Sequence, residues 1–302
     1  MNRGILTVIE QEHYPEAVIE RAAWLAKLNG CDIELFLCDP TTAFLNEIFI
    51  VSSEVQELAQ NIRATQEQML EQLADSVRGF GVVAQTRISR DRPVADVIAA
   101  RAMETEPLYV IKGTHHHSPA ERATFADTDW QLMRKIHAPL WFVKPVKWKD
   151  DPLIIAAVDP LHEKDQAAAL DHRIVAAAQS VAAACNGRVD IVHTYQRLVE
   201  IGSYVSKTLK PIKLPLDELD NRIRDEHRKA LDAFASDCKV PDDAVHQLPG
   251  RAHELLPTFA RTHGASLMVM GALSRAGLKE RFIGNTAARV LDYLPCDVLI
   301  VR

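Results

Sequence analysis

The residues best suited to chemistry lie between Val269 and Ala287. They read Val269-Met270-Gly271-Ala272-Leu273-Ser274-Arg275-Ala276-Gly277, then Phe282-Ile283-Gly284-Asn285-Thr286-Ala287. Glycines let backbone N–H groups approach an anion closely, and a helix starting after such a loop adds partial positive charge at its N-terminus. Arg275 can pair with a phosphate. The chemistry this stretch suggests is anion recognition rather than bond cleavage.

Other constellations are weaker. His115-His116-His117 form a run that can be read as metal ligands. Zinc normally draws ligands from more than one segment, however, and no partner spacing is visible, so polar loop residues are the preferred reading. His253-Glu254-Leu255-Leu256-Pro257 begins like a zinc-protease helix, but Pro257 stands where the second histidine belongs. There is no GxxxxGK[ST], GxGxxG or GxSxG, and no spacing that pairs a nucleophile with a base. Five cysteines without a CxxC read as reduced, mostly buried thiols.

The elements that must position the glycine stretch follow from periodicity. In the first half, Ile5–Ile9 reads as a buried strand, Val18, Ala22, Leu25 and Ala26 as a helix closing at Asn29-Gly30, and Ile33, Leu35 and Leu37 as a strand. A long helix from Val55 to Val77 ends at Gly79. Then come a strand over Val82–Ile88, a helix opened by Pro93, a strand over Leu108–Ile111, a helix over Asp129–Ile136 and a strand over Leu140–Val143. The second half repeats the order. Its strands are Leu153–Val158, Val189–His193, Ala244–Leu248, Leu267–Met270 and Val298–Val301, and its helices include Leu170–Cys185 and Leu219–Phe234. Strands alternating with helices predict parallel sheets covered on both faces, with ligands at the carboxyl ends of the strands.

The two halves are copies. Moving 158 positions along, Leu108–Gly113 falls on Ser266–Gly271, Leu132-Met133 on Val290-Leu291 and Leu140–Val143 on Val298–Val301. Ile5–Glu10 matches Ile154–Asp159 at a smaller offset, so the second half carries extra residues around Leu161–Leu170. A repeat this long is a duplicated domain rather than a solenoid. The fold class expected is α/β: two doubly wound, five-stranded parallel-sheet domains of Rossmann-like type, at 1–148 and 151–302, joined through the charged, Pro-ended stretch Lys147–Pro152.

With these residues in view, the chain resembles the universal stress protein family in its tandem-domain type. The family places a Gly, two residues, a Gly, nine residues, then Gly-Ser or Gly-Thr between its fourth strand and last helix. Gly271 and Gly284 take the first and third places; Ser274 replaces the middle Gly, Asn285 the following Ser/Thr, and Thr286 comes one position later. Asp159 matches the acidic residue that meets the nucleoside, and Gly250 the Gly that opens the helix after the third strand. The resemblance implies a site for an adenine nucleotide, ATP or AMP, built from Asp159, Gly271, Ser274, Arg275, Gly284, Asn285 and Thr286. In the first half Glu10 stands for the Asp, His116 and Ala126 for two of the glycines, and Asp127 beside them. That half reads as degenerate, with Asp127-Thr128-Asp129-Trp130 as a helix cap. The resemblance also implies a stress-response role, and pairing of the two halves as an intramolecular pseudo-dimer through their last strands, with a further homodimer left open.

Bulk properties narrow the class. The net charge of −6 lacks the footprint of a general nucleic-acid binder. No apolar run approaches the ~20 residues of a membrane span, so a cytoplasmic protein with no membrane partner is expected. Two partly apolar insertions, Ala43–Val51 and Val199–Leu216, follow the second strand of their halves. They read as core packing, or as the wall of a site for a partly apolar small molecule. No catalytic residue is assigned: action is by ligand binding. The rivals are an enzyme that hydrolyses or transfers from ATP, and a scaffold with no small-molecule ligand.

Overall fold

The computed structural model describes residues 3–48, 52–114, 128–161, 165–197, 216–271 and 285–302. The chain divides into two compact units, Met1–Val146 and Lys147–Arg302.

Unit 1 begins with β1 (Ile5–Ile9), all of it buried, which leads into α1 (Pro15–Asn29). Val18, Ala22, Leu25 and Ala26 of α1 face the core, and Gly30 ends the helix in the left-handed conformation. β2 (Ile33–Cys38) follows, then α2 (Thr41–Ile48) and the long α3 (Ser53–Gly79). The expected irregular insertion is thus helical over its first part. Asp39 explains the start of α2, because its Oδ1 accepts the Thr41 amide at 2.9 Å and so serves an otherwise unpaired helix donor. The unit continues with β3 (Ala84–Ser89), α4 (Val94–Thr105), β4 (Tyr109–Gly113), α5 (Thr128–Lys135) and β5 (Leu140–Val143). β3 begins two residues later than the apolar pattern suggests; Val83 lies outside the core, 58% exposed.

Unit 2 has the same order. β6 (Leu153–Val158) precedes α6 (Asp165–Ala184), β7 (Arg188–Tyr195) and α7 (Leu216–Asp237). A short 3₁₀ turn leads to β8 (Val245–Pro249), then α8 (Ala252–His263), β9 (Leu267–Gly271), α9 (Asn285–Tyr293) and β10 (Asp297–Val301). Both α6 and α7 begin earlier than the apolar periodicity marks.

The strand order is β3-β2-β1-β4-β5 in unit 1 and β8-β7-β6-β9-β10 in unit 2, and the ladders within each unit are parallel. In each unit the chain steps outward from its first strand, then returns to that strand's other side. The reversal point lies between β1 and β4, and between β6 and β9, the place where doubly wound sheets take ligands, beyond the carboxyl ends of the strands. Long apolar runs in these strands follow from burial on both faces: Val110, Ile111, Trp141, Phe142 and Val143 in unit 1, and Ile154, Ile155, Met268, Val269 and Leu299 in unit 2, are essentially inaccessible.

Candidate functional site

Strand register makes the two crevices comparable. Val8 of β1 lies opposite Lys112 of β4, and Ala157 of β6 opposite Met270 of β9. Two residues on, Glu10 and Asp159 therefore hold the same place at the end of the first strand. Gly113 and Gly271 close the facing strands.

In unit 1 this place is filled by an ion cluster. Lys112 is buried, and its Nζ lies 2.6 Å from Glu10 Oε2 and 2.6 Å from Asp129 Oδ1. It also donates to the Gly113 carbonyl at 3.1 Å. Thr114 donates its hydroxyl to the other Asp129 oxygen at 2.6 Å, and His13 makes a short hydrogen bond to Glu10. Burial disfavours the Lys112 ammonium, yet Asp129 and Glu10 hold its pKa well above the ordinary lysine value. Burial likewise pushes the Glu10 carboxyl up, but Lys112 and the His13 hydrogen bond outweigh it and keep it below the usual range. The sequence reading ends the fourth strand at Ile111, just before Lys112, and reads Asp129 as part of a helix cap. The Asp129 carboxylate has this second task because α5 lays its first turn over the end of β4. His115–His117, Ala126 and Asp127 lie outside the described residues.

In unit 2 the counterparts of Lys112 and Asp129, 158 positions on, are Met270 and Ala287, so the cation and its second carboxylate are both missing from those positions. Asp159 is partly accessible, with 21% of its side chain exposed, and its amide donates to Asp171 Oδ2 at 3.2 Å. Of the residues expected to hold a ligand, Asp159 and Gly271 end β6 and β9. Asn285 and Thr286 form the start of α9, whose N-terminus lies at the carboxyl end of the sheet as in any right-handed strand–helix–strand unit. Ser274, Arg275 and Gly284 lie outside the described residues.

The shared first glycine has a packing reason in each unit. A Cβ on Gly113 would come within 2.0 Å of the His13 carbonyl oxygen; on Gly271 it would come within 2.7 Å of Leu170 Cδ2. Gly250 has φ of 138° and donates its amide to the Tyr195 carbonyl at 2.8 Å. Only glycine adopts that backbone readily.

Sequence reasoning missed the groups beside Asp159. His193 of β7 is fully buried, and its Nδ1 is 3.1 Å from the Val158 carbonyl oxygen and 3.6 Å from Asp159 Oδ1. Its Nε2 is 2.7 Å from Nδ1 of His227 on α7. A histidine ending a strand, followed by another on the next helix, was the available signal, but periodicity does not say which helix face meets which strand.

The cysteines are all free thiols, Cys31 and Cys296 buried and the others half-buried. Burial, then Asp91, Asp39 and Glu10, push the Cys38 thiol up to about 11, which leaves it protonated and unreactive at neutral pH. His253 lies on α8 with Pro257 inside the same helix. No helix among the described residues is long and apolar enough to cross a membrane.

The family model described as "Universal stress protein family" matches residues 1–144 and again 153–302. The chain belongs to this family, in its tandem form. Two universal stress proteins E, from Salmonella typhi and Escherichia coli K12, are each 27% identical to it, over 100% of this chain and 95% and 94% of theirs. Among solved structures, a functionally unknown protein from Pseudomonas aeruginosa PAO1 covers 99% of the chain and is covered to 92%, with a TM-score of 0.71 and 22% identity. At that identity the likeness is one of fold.

Proposed function

We propose that this tandem universal stress protein is a cytoplasmic stress-response protein that acts by binding one anionic small molecule per chain, in unit 2. An adenine nucleotide, ATP or AMP, is the ligand the glycine stretch fits best. The observation that carries this reading is the exchange of Lys112 and Asp129 for Met270 and Ala287 at matching positions. In unit 1 a buried ammonium and two carboxylates already complete one another. A phosphate there would have to displace Glu10 or Asp129 from Lys112, and stripping one partner from a buried ion pair is costly. At the same place unit 2 has Asp159 with no lysine at the matching strand position, a glycine-ended strand and a following helix N-terminus.

The reading makes a direct prediction. Native mass spectrometry and calorimetry with ATP and AMP are expected to show one nucleotide per chain, lost in Asp159→Ala and kept in Glu10→Gln. Two bound nucleotides, or loss of binding in Glu10→Gln with Asp159→Ala unaffected, would reverse the assignment. No adduct and no heat would leave the protein a ligand-free scaffold. Sustained ATP turnover lost in Asp159→Ala would make it an enzyme.

A further inference from the structure

His172 and Cys238 meet where two helices of unit 2 pack. His172 lies within α6, and Cys238 is the residue after α7. The Cys238 Sγ is 3.6 Å from Nδ1 of His172. One turn back along α7, the Phe234 ring packs against the His172 ring, with centroids 5.0 Å apart. The end of α7 is fixed by its own backbone. The Cys238 amide donates to the Phe234 carbonyl at 3.0 Å, Lys239 takes the left-handed conformation with φ of 57°, and the Val240 amide reaches back to the Ala235 carbonyl at 3.0 Å. A left-handed residue with such a returning bond closes a helix firmly. From α6, Gln179 donates to the Cys238 carbonyl at 2.9 Å. Both residues are therefore anchored by regular hydrogen bonding.

The distance between the two atoms decides what they can share. A sulfur and a nitrogen bound to one tetrahedral zinc ion, with bonds of about 2.3 and 2.05 Å, lie about 3.5 Å apart. At 3.6 Å the pair is already at ligand spacing. On the far side of the ring, Asp237 Oδ2 lies 3.5 Å from Nε2. A carboxylate there favours the ring proton on Nε2 and leaves the Nδ1 lone pair toward the sulfur. A carboxylate behind the ring is also how metal-ligating histidines are oriented. The side chains of His172 and Asp237 are 48% and 72% exposed, so a hydrated ion reaches them from solvent. Burial, then Asp237 and Asp171, hold the Cys238 thiol above its ordinary pKa. A thiol kept protonated is a poor nucleophile, which argues against a catalytic cysteine–histidine pair. It does not bar a metal, which supplies its own charge and deprotonates a coordinating thiol.

We propose that Cys238 and His172 form a binding site for a thiophilic cation of the zinc type, with Asp237 as the positioning residue behind His172. On binding, the thiol proton leaves to buffer, a metal–sulfur and a metal–nitrogen bond form, and water keeps the remaining positions. Among the described residues no group of three or more His, Cys, Asp or Glu side chains is placed to hold a metal. The site therefore offers two protein ligands, and its occupancy follows the supply of free metal. The ligands stand 66 positions apart in the chain, so a bound ion ties α6 to the end of α7 and stabilises the folded unit by linkage. Nothing in this site depends on what binds beyond β6 and β9.

Cobalt is the probe that tests this, because a cobalt–thiolate bond absorbs in the near ultraviolet and cobalt on imidazole or carboxylate alone does not. Titration of the reduced full chain with Co²⁺ should raise such a band, and Zn²⁺ should displace it. The band should vanish in Cys238→Ser and persist in Cys38→Ser and Cys185→Ser, which remove the other half-buried thiols. Metal held on the His115–His117 run would give no sulfur band. His172→Gln leaves every thiol in place and should weaken Co²⁺ binding, which covers the case in which Cys238→Ser impairs folding. Asp237→Asn should keep the band but lower the affinity about tenfold or more, as loss of a carboxylate behind a metal-bound histidine does. Zn²⁺ should also raise the thermal midpoint of the wild type and leave that of Cys238→Ser unchanged. No band, or a band unmoved by both Cys238→Ser and His172→Gln, overturns the site and leaves the 3.6 Å contact as a thiol hydrogen bond. An affinity unmoved by Asp237→Asn overturns the positioning role.

Discussion

Lys112 concentrates the residue-scale energetics of unit 1. Its ammonium is buried between Glu10 and Asp129, so removing it leaves two carboxylates facing each other, Asp129 fully buried and Glu10 mostly so. Breaking a buried ion cluster this way costs about 3–5 kcal/mol. We therefore expect Lys112→Met to lower the urea midpoint of unit 1 severely. Adding Glu10→Gln and Asp129→Asn to the same chain should restore much of the loss, since no charge is then left buried. If Lys112→Met alone unfolds no more easily than wild type, the cluster is not closed to water. The same residues predict a pH dependence. The folded pKa of Glu10 lies below its ordinary value, so its stabilisation is present above that value and is lost as pH falls through the lowered folded pKa. The folded pKa of Lys112 lies above its ordinary value, so its contribution holds up to that value and fades only at strongly alkaline pH. Unit 1 should lose stability in acid, and urea titrations should show that loss shrinking in the triple variant.

At the scale of elements, the close approach of chain segments decides what the glycines tolerate. A methyl group on Gly113 would overlap the His13 backbone, which cannot swing aside without moving the end of β1; on Gly271 it meets only the tip of the Leu170 side chain. Overpacking costs about 1–3 kcal/mol, and more where nothing can yield. Gly113→Ala should therefore be clearly more damaging than Gly271→Ala in thermal melts. Equal effects would mean that the loop after β1 is free to shift. Most of the element order was legible from sequence, because strands and helices are announced by local periodicity and by end signals such as Gly30 and Gly79. α2 was not, since its start depends on Asp39 folding back onto the Thr41 amide. Nor were the early starts of α6 and α7.

For the whole molecule, the duplication has produced two units of one fold with different contents. A ligand bound in one unit should protect that unit. Hydrogen exchange with saturating ATP is expected to slow in peptides ending β6, β7 and β9, and to stay unchanged in those ending β1 and β4. At a ligand concentration of about 100 times Kd the stabilisation of unit 2 would be about 2.7 kcal/mol. Protection spread equally over both units would contradict the single-site reading.

The sequence by itself determined the duplication, the order of strands and helices, the parallel α/β class and the glycine-ended strand at each reversal point. These depend on local patterns, which any stretch of chain displays without knowing its neighbours. The tertiary structure alone decided what fills each crevice. Lys112 meets Glu10 across 102 positions of chain, and His227 meets His193 across 34. Such meetings are set by strand register and by which helix face turns inward. A buried charge is tolerable only once its partners have arrived, so Lys112, which the sequence reading leaves just beyond an apolar strand, acquires its meaning from the fold that surrounds it.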